Sequence, residues 1–189
     1  MRIIGGSFKG RPLATPPGLE VRPATGRVRQ VMFDVLSTRI NLDGAAVLDL
    51  FAGSGSLGFE ALSRGAMTVE FVESAPAALS CITANAARIG CTDRVRIHRR
   101  DARAFVSQAG PAYDLIFADP PYRYASTAEF PGLVFGRSLV RPGGYLLIEH
   151  AAGQVFAGSA LYAVETTRTF GRTVVSFFTH PSTNDTHTV

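Results

Sequence analysis

Val47-Leu48-Asp49-Leu50-Phe51-Ala52-Gly53-Ser54-Gly55-Ser56-Leu57-Gly58 reads as a buried strand, a glycine turn and the first turn of a helix. Gly53 and Gly55 let the backbone pass close to a ligand, and Gly58 lets the helix approach the strand. Outward from this stretch the same rhythm repeats. Strands are expected at Ala46 to Leu50, Thr68 to Val72, Val95 to His98, Tyr113 to Ala118 and Tyr145 to His150. Helices are expected up to Arg64, from Ala75 to Ile89, through Phe105, and from Phe130 to Leu139. Strands alternating with helices of this length specify an α/β fold, a mostly parallel sheet covered on both faces. Leu161 to Phe170 and Thr173 to Thr179, joined at Gly171, read as a closing β-hairpin. The polar stretch Pro181 to Val189 is expected to be a disordered tail.

Ahead of the sheet, Met1 to Ile4, a Gly5-Gly6-Ser7 turn and Phe8 to Leu13 resemble a β-hairpin, and Pro16-Pro17-Gly18 then breaks the chain. From Thr25, read as an N-cap, Val28, Val31, Met32, Val35 and Leu36 recur at the spacing of an amphipathic helix whose stripe docks on the main body. The expected organisation is a basic extension over 1–40, a catalytic domain over 41–180 and a tail over 181–189.

At 189 residues the chain suits one core, and its net charge of +4 is unevenly spread. Arg2, Lys9, Arg11, Arg22, Arg27, Arg29 and Arg39 stand against Glu20 and Asp34 in the first 40 residues, a balance of +5 that leaves −1 for the rest. A basic segment ahead of a neutral body suits a polyanionic substrate, so Arg2, Lys9, Arg11, Arg22, Arg27 and Arg29 are candidate nucleic-acid contacts. Cys81 and Cys91 lack metal or redox spacing, and His98, His150, His180 and His187 form no evident cluster, so no metal is assigned. With no leader pattern and no run near the ~20 apolar residues of a membrane span, the expectation is a soluble, cytoplasmic protein.

In a sheet of this class ligands lie outside the carboxyl ends of the strands. Gly53, Gly55 and Gly58 match the dinucleotide fingerprint as well, so the cofactor is decided elsewhere. Glu73, ending the second strand, can accept from both hydroxyls of a ribose. Asp101, after the third strand, can accept from an adenine amino group or cap the following helix. Glu60 and Glu70 carry no positional argument and read as surface residues. Asp49, inside the first strand's end, suits the ammonium of a methionine moiety and would repel a pyrophosphate. Phe51 is grouped with these cofactor contacts.

Asp119-Pro120-Pro121-Tyr122 follows the fourth strand. Neither proline offers an N–H, and Asp119 is pushed to extended geometry, so the segment presents acceptors and almost no donors. Asp119 and the Pro120 carbonyl can hold the two hydrogens of an aryl amine while Tyr122 stacks on the ring. That pocket suits methylation of an amine better than hydride transfer to a nicotinamide.

These motifs resemble those of class I S-adenosylmethionine-dependent N-methyltransferases. Met1-Arg2-Ile3-Ile4-Gly5-Gly6, Lys9-Gly10-Arg11, Arg22-Pro23-Ala24-Thr25 and Arg27-Val28-Arg29 narrow the resemblance, over roughly residues 1 to 180, to the bacterial 16S rRNA (guanine-966-N2)-methyltransferase family. It implies a Rossmann-like seven-stranded sheet, S-adenosylmethionine as cofactor, and a guanine of small-subunit ribosomal RNA, free or in the assembled subunit, as target. A monomer is expected. Gln30 stands where the family usually has an acid. The competing readings are a DNA adenine-N6 methyltransferase, for which the chain leaves no room for a recognition domain, and a non-catalytic RNA-binding assembly factor.

Overall fold

A computed structural model describes residues 1–16, 23–108 and 110–181, with backbone alone for 23–25. Seven strands form one sheet in the order β3-β2-β1-β4-β5-β7-β6: β1 Ala46–Leu50, β2 Thr68–Glu73, β3 Val95–Arg99, β4 Tyr113–Ala118, β5 Val140–Ala151, β6 Ala163–Phe170 and β7 Thr173–Thr179. The first five pair in parallel, and β7 pairs antiparallel with both β5 and β6. The sheet is Rossmann-like as expected, mostly parallel with an antiparallel edge.

Alternate residues of each central strand feed two cores. On one face Val47, Phe71, Leu115, Phe117 and Phe177 meet helices α1 (Pro23–Ser37), α2 (Ser56–Ser63) and α3 (Pro76–Ile89). On the other, Leu48, Leu50, Ile116, Leu146 and Phe178 meet α4 (Ala102–Val106) and α5 (Phe130–Gly136). The stripe of α1 docks as its spacing requires: Val28, Met32, Val35 and Leu36 are buried, and Phe33 lies 5.6 Å from Phe117, ring to ring. Among the described residues no helix is long and apolar enough to cross a membrane.

Several boundaries differ from expectation. α1 begins at Pro23, a residue preorganised for the first helical turn, so Thr25 lies inside the helix instead of capping it. β5 starts at Val140, because Arg141-Pro142-Gly143-Gly144 is carried through a register shift against β4 and does not end the strand. The N-terminal segment folds back on itself through an antiparallel Arg2–Pro12 bridge, with the Ile3, Gly10 and Leu13 N–H groups bonded to the Arg11, Ile3 and Met1 carbonyls. The turn falls later than expected, with the Lys9 N–H bonded to the Gly6 carbonyl and the Arg11 N–H to the Phe8 carbonyl, and Gly5 and Gly6 have a further role. They let the chain lie against α2, where a Cβ on Gly6 would sit 1.8 Å from the Ser63 carbonyl oxygen. Pro17, Gly18, Arg22 and the tail from 182 lie outside the described residues.

Candidate active site

Strand order sets Glu73, Asp49 and Asp119 at the carboxyl ends of the adjacent strands β2, β1 and β4. Asp49 is buried, and one of its oxygens accepts the Gly58 N–H at 2.9 Å. Burial pushes the Asp49 carboxyl well above its ordinary value of 3.8; the Gly58 N–H opposes this, while the Asp119 and Glu73 carboxylates add to it. Glu73 accepts from the Gly53 N–H at 2.9 Å through one oxygen and from Ser74 and Ala75 N–H at 2.7 and 2.8 Å through the other. The glycine turn is thus strung between two acids.

Each glycine of the turn answers a distinct constraint. A Cβ on Gly58 would lie 2.4 Å from the Phe71 ring, so α2 packs on β2 only without one. Gly53 has φ +55, and beyond the Phe51 carbonyl oxygen at 4.0 Å nothing lies near its missing Cβ, so the backbone faces open space there. Just ahead of them, Phe51 adopts φ 57, a left-handed conformation costing about 1–3 kcal/mol for a bulky residue. Its ring meets Tyr124 at 5.0 Å and Phe130 at 5.4 Å, edge to face.

Asp101 is the N-cap of α4, accepting the Ala104 N–H at 2.9 Å. Burial first, then the Asp101 carboxylate that accepts its hydroxyl, raises the Tyr124 phenol. Tyr124 thus bridges Phe51 and Asp101, two of the expected cofactor residues, and was not foreseen; its place two residues after Asp-Pro-Pro-Tyr was the available signal. At the β4 end Asp119 is exposed and Pro120 buried. The Pro121 carbonyl is taken by the Tyr124 N–H at 2.7 Å, whereas the Pro120 carbonyl accepts no hydrogen bond from the described residues. Tyr122 is 43% exposed, and its hydroxyl bonds the Thr173 hydroxyl across the rim. A surface hollow of about 530 Å³ opens by Phe33, Asn41 and Arg64 beside the loop entering β1, and holds none of these residues.

This geometry has close counterparts. The family model described as Conserved hypothetical protein 95 matches residues 1–179. The chain belongs to that family. Among its relatives, an Escherichia coli protein named Ribosomal RNA small subunit methyltransferase D is 40% identical over 65% of this chain and 61% of its own length. A Bacillus subtilis protein provisionally named an rRNA methyltransferase is 34% identical over 79% of this chain and 82% of its own. A solved Escherichia coli structure, provisionally named a methyltransferase, superposes with a TM-score of 0.84 at 30% identity, covering 95% of this chain and 97% of that one.

Several of the candidate contacts read from the charge of the basic extension are engaged inside the protein. Arg29 is buried: it donates to the Arg2 carbonyl at 2.6 Å and pairs with Glu60 at 3.6 Å, so it is an internal strut and cannot reach a phosphate. Glu60 is wholly buried instead of lying on the surface, accepting Ile4 and Gly5 N–H at 2.8 Å each and Arg64 at 2.9 Å. Glu70 likewise turns to His98, at 2.7 Å. Arg11 donates to the Ile89 carbonyl at 2.7 Å at the end of α3, and Arg2 to the Gly10 carbonyl at 2.9 Å. Only Lys9 and Arg27 of the six are exposed without a partner among the described residues; Arg22 lies outside them. Gln30 donates to Asp34 at 2.6 Å within α1.

Proposed function

We propose that the protein transfers a methyl group from S-adenosylmethionine to the exocyclic N2 of a guanine in small-subunit ribosomal RNA. The observation that carries this reading is the trio of carboxylates, Asp49, Glu73 and Asp119, at adjacent strand ends beside a proline-stiffened acceptor corner. Relatives named as small-subunit rRNA methyltransferases support the substrate class.

The donor set fits this cofactor and not a dinucleotide. In dinucleotide folds the N–H groups opening the first helix receive a pyrophosphate; here the Gly58 N–H already binds the Asp49 carboxylate, and two further acids stand near. An anion is repelled from such a site, and a cation is welcomed. Glu73 would accept from the ribose hydroxyls, Asp101 from the adenine amine, and Asp49 from the ammonium, while the open backbone at Gly53 and the Phe51 ring receive the body of the molecule. When bound, S-adenosylmethionine supplies an electrophilic methyl on a sulfonium.

Placement then does most of the catalysis. Guanine N2 is barely basic, because its lone pair is delocalised into the ring. Asp119 and the Pro120 carbonyl would accept its two N–H bonds, orient the lone pair and stabilise the charge growing on nitrogen. As the methyl–sulfur bond breaks and the sulfonium leaves as a neutral thioether, Asp119 would take the proton that the methylated nitrogen must lose. Tyr122 stacks on the base, contributing about 1–3 kcal/mol against the few kcal/mol needed to extrude it. The working form is a cytoplasmic monomer acting on free RNA or the assembled subunit.

The test is transfer of labelled methyl to deproteinised small-subunit RNA, assembled subunits and duplex DNA in parallel, with the modified base mapped. Label on a guanine N2 is expected; label on DNA adenine, or none at all, overturns the reading. In the same assay Asp119→Ala should lower turnover by about 10² or more with cofactor affinity nearly intact, and equal loss of both would contradict its role.

A further inference from the structure

An acidic pocket must receive a strand of RNA, whose phosphates Asp49, Glu73 and Asp119 repel, so cations are needed on the rim beside it. Among the described residues of the extension, Arg29 is buried and Arg2 and Arg11 are bonded to backbone carbonyls, which leaves Lys9 and Arg27. Two other arginines stand where the need lies. Arg123 directly follows Tyr122, and Arg172 directly precedes Thr173; the hydrogen bond between Tyr122 and Thr173 therefore brings both to one edge of the pocket. The register agrees, since Thr173 pairs with Ala151 at the carboxyl end of β5, the ligand end of the sheet. Arg172 sits in the exposed β6–β7 turn, which Gly171 forms with φ 62. Both arginines are exposed, and neither side chain has a hydrogen bond or ion pair among the described residues.

We infer that Arg123 and Arg172 form a phosphate-gripping rim that positions the target strand over Asp119, so that the β6–β7 hairpin is part of the RNA-binding surface. This rests on the reading of the substrate as RNA. Tyr122, hydrogen-bonded to the same hairpin, would then stack on the base between the two flanking phosphates.

The test is the Arg123→Gln/Arg172→Gln double variant, titrated with deproteinised small-subunit RNA at several salt concentrations. Losing two contacts should flatten the slope of log affinity against log salt by roughly 0.7 to 0.9 per contact. KM for RNA should rise by about tenfold or more, while melting temperature and S-adenosylmethionine affinity match the wild type. The Arg123→Lys/Arg172→Lys pair, which keeps the charge, should retain the wild-type slope. An unchanged slope and KM in the Gln pair, or an equal loss in the Lys pair, overturns the inference. Failure of the wild-type protein to methylate RNA would instead overturn the substrate reading on which it rests.

Discussion

Asp49 keeps a carboxyl group 2% exposed at the end of β1, with one backbone N–H bonded to it. Because burial raises its folded pKa above 3.8, the folded chain holds that proton more tightly than the unfolded one. The stability this gives is complete below the unfolded value and is lost as pH rises through the raised one. Asp49→Asn keeps an acceptor for Gly58 and removes the charge. The variant should therefore melt above the wild type near neutral pH, by roughly 2–4 °C per kcal/mol relieved, with the gap closing toward about pH 4. A cationic ligand favours the ionised form, so wild-type affinity for S-adenosylmethionine should climb with pH, whereas the variant binds weakly at every pH. Thermal melts and calorimetric titrations across that range decide it; a variant that binds as tightly as wild type removes Asp49 from the site. The places of Asp49 and Asp119 at strand ends were legible in the sequence because strand, glycine and proline chemistry are contiguous there. Arg29 was not, since its partner Glu60 comes from another helix and nothing local marks either as buried.

At the scale of elements, the same pair holds the N-terminal segment to the sheet's helical layer. Glu60 gathers the Ile4 and Gly5 N–H groups, Arg64 and Arg29 into one buried knot. Glu60→Ala leaves the Arg29 guanidinium buried without its counter-charge, a loss of about 3–5 kcal/mol, while an apolar Arg29→Met/Glu60→Leu pair should recover only the part owed to the uncompensated charge, since the Ile4 and Gly5 N–H groups stay without an acceptor. Urea midpoints with unchanged slopes would show both effects; a single variant as stable as wild type would mean that the knot carries no load. The alternation of strands and helices was readable along the chain, because burial of each central strand on both faces writes apolar runs into it. The packing of Gly5 and Gly6 was not: glycine pairs signal turns locally, and only the position of α2 makes them contact points. β5 extended past its apparent start for a similar reason, since a bulge beside β4 carries Gly143 and Gly144 inside the strand.

Across the whole molecule the charge asymmetry of the first 40 residues suggested an RNA-binding extension, and the burial pattern adds a second property to the same residues. Ile3 and Leu13 belong to the core shared by α1, α2, α3 and the sheet, and Asn85, wholly buried, bonds both Ala14 and the Ser54 carbonyl of the glycine turn. Composition could report the charge but not this, because the partners lie 50 to 80 residues further along the chain. Removing residues 1 to 14 exposes the surface those side chains cover, at about 1.5–3 kcal/mol for each of the two. It also leaves Glu60 without its backbone donors, on the order of 1–3 kcal/mol for each bond left unmade. That total rivals the roughly 5–15 kcal/mol holding a domain folded. A chain starting at Thr15 should therefore lose its cooperative urea transition and its S-adenosylmethionine binding together, followed by far-ultraviolet circular dichroism and calorimetry. If it melts like the full chain and still binds cofactor, the extension is a separable RNA-binding module and the sheet with its glycine turn is stable without it.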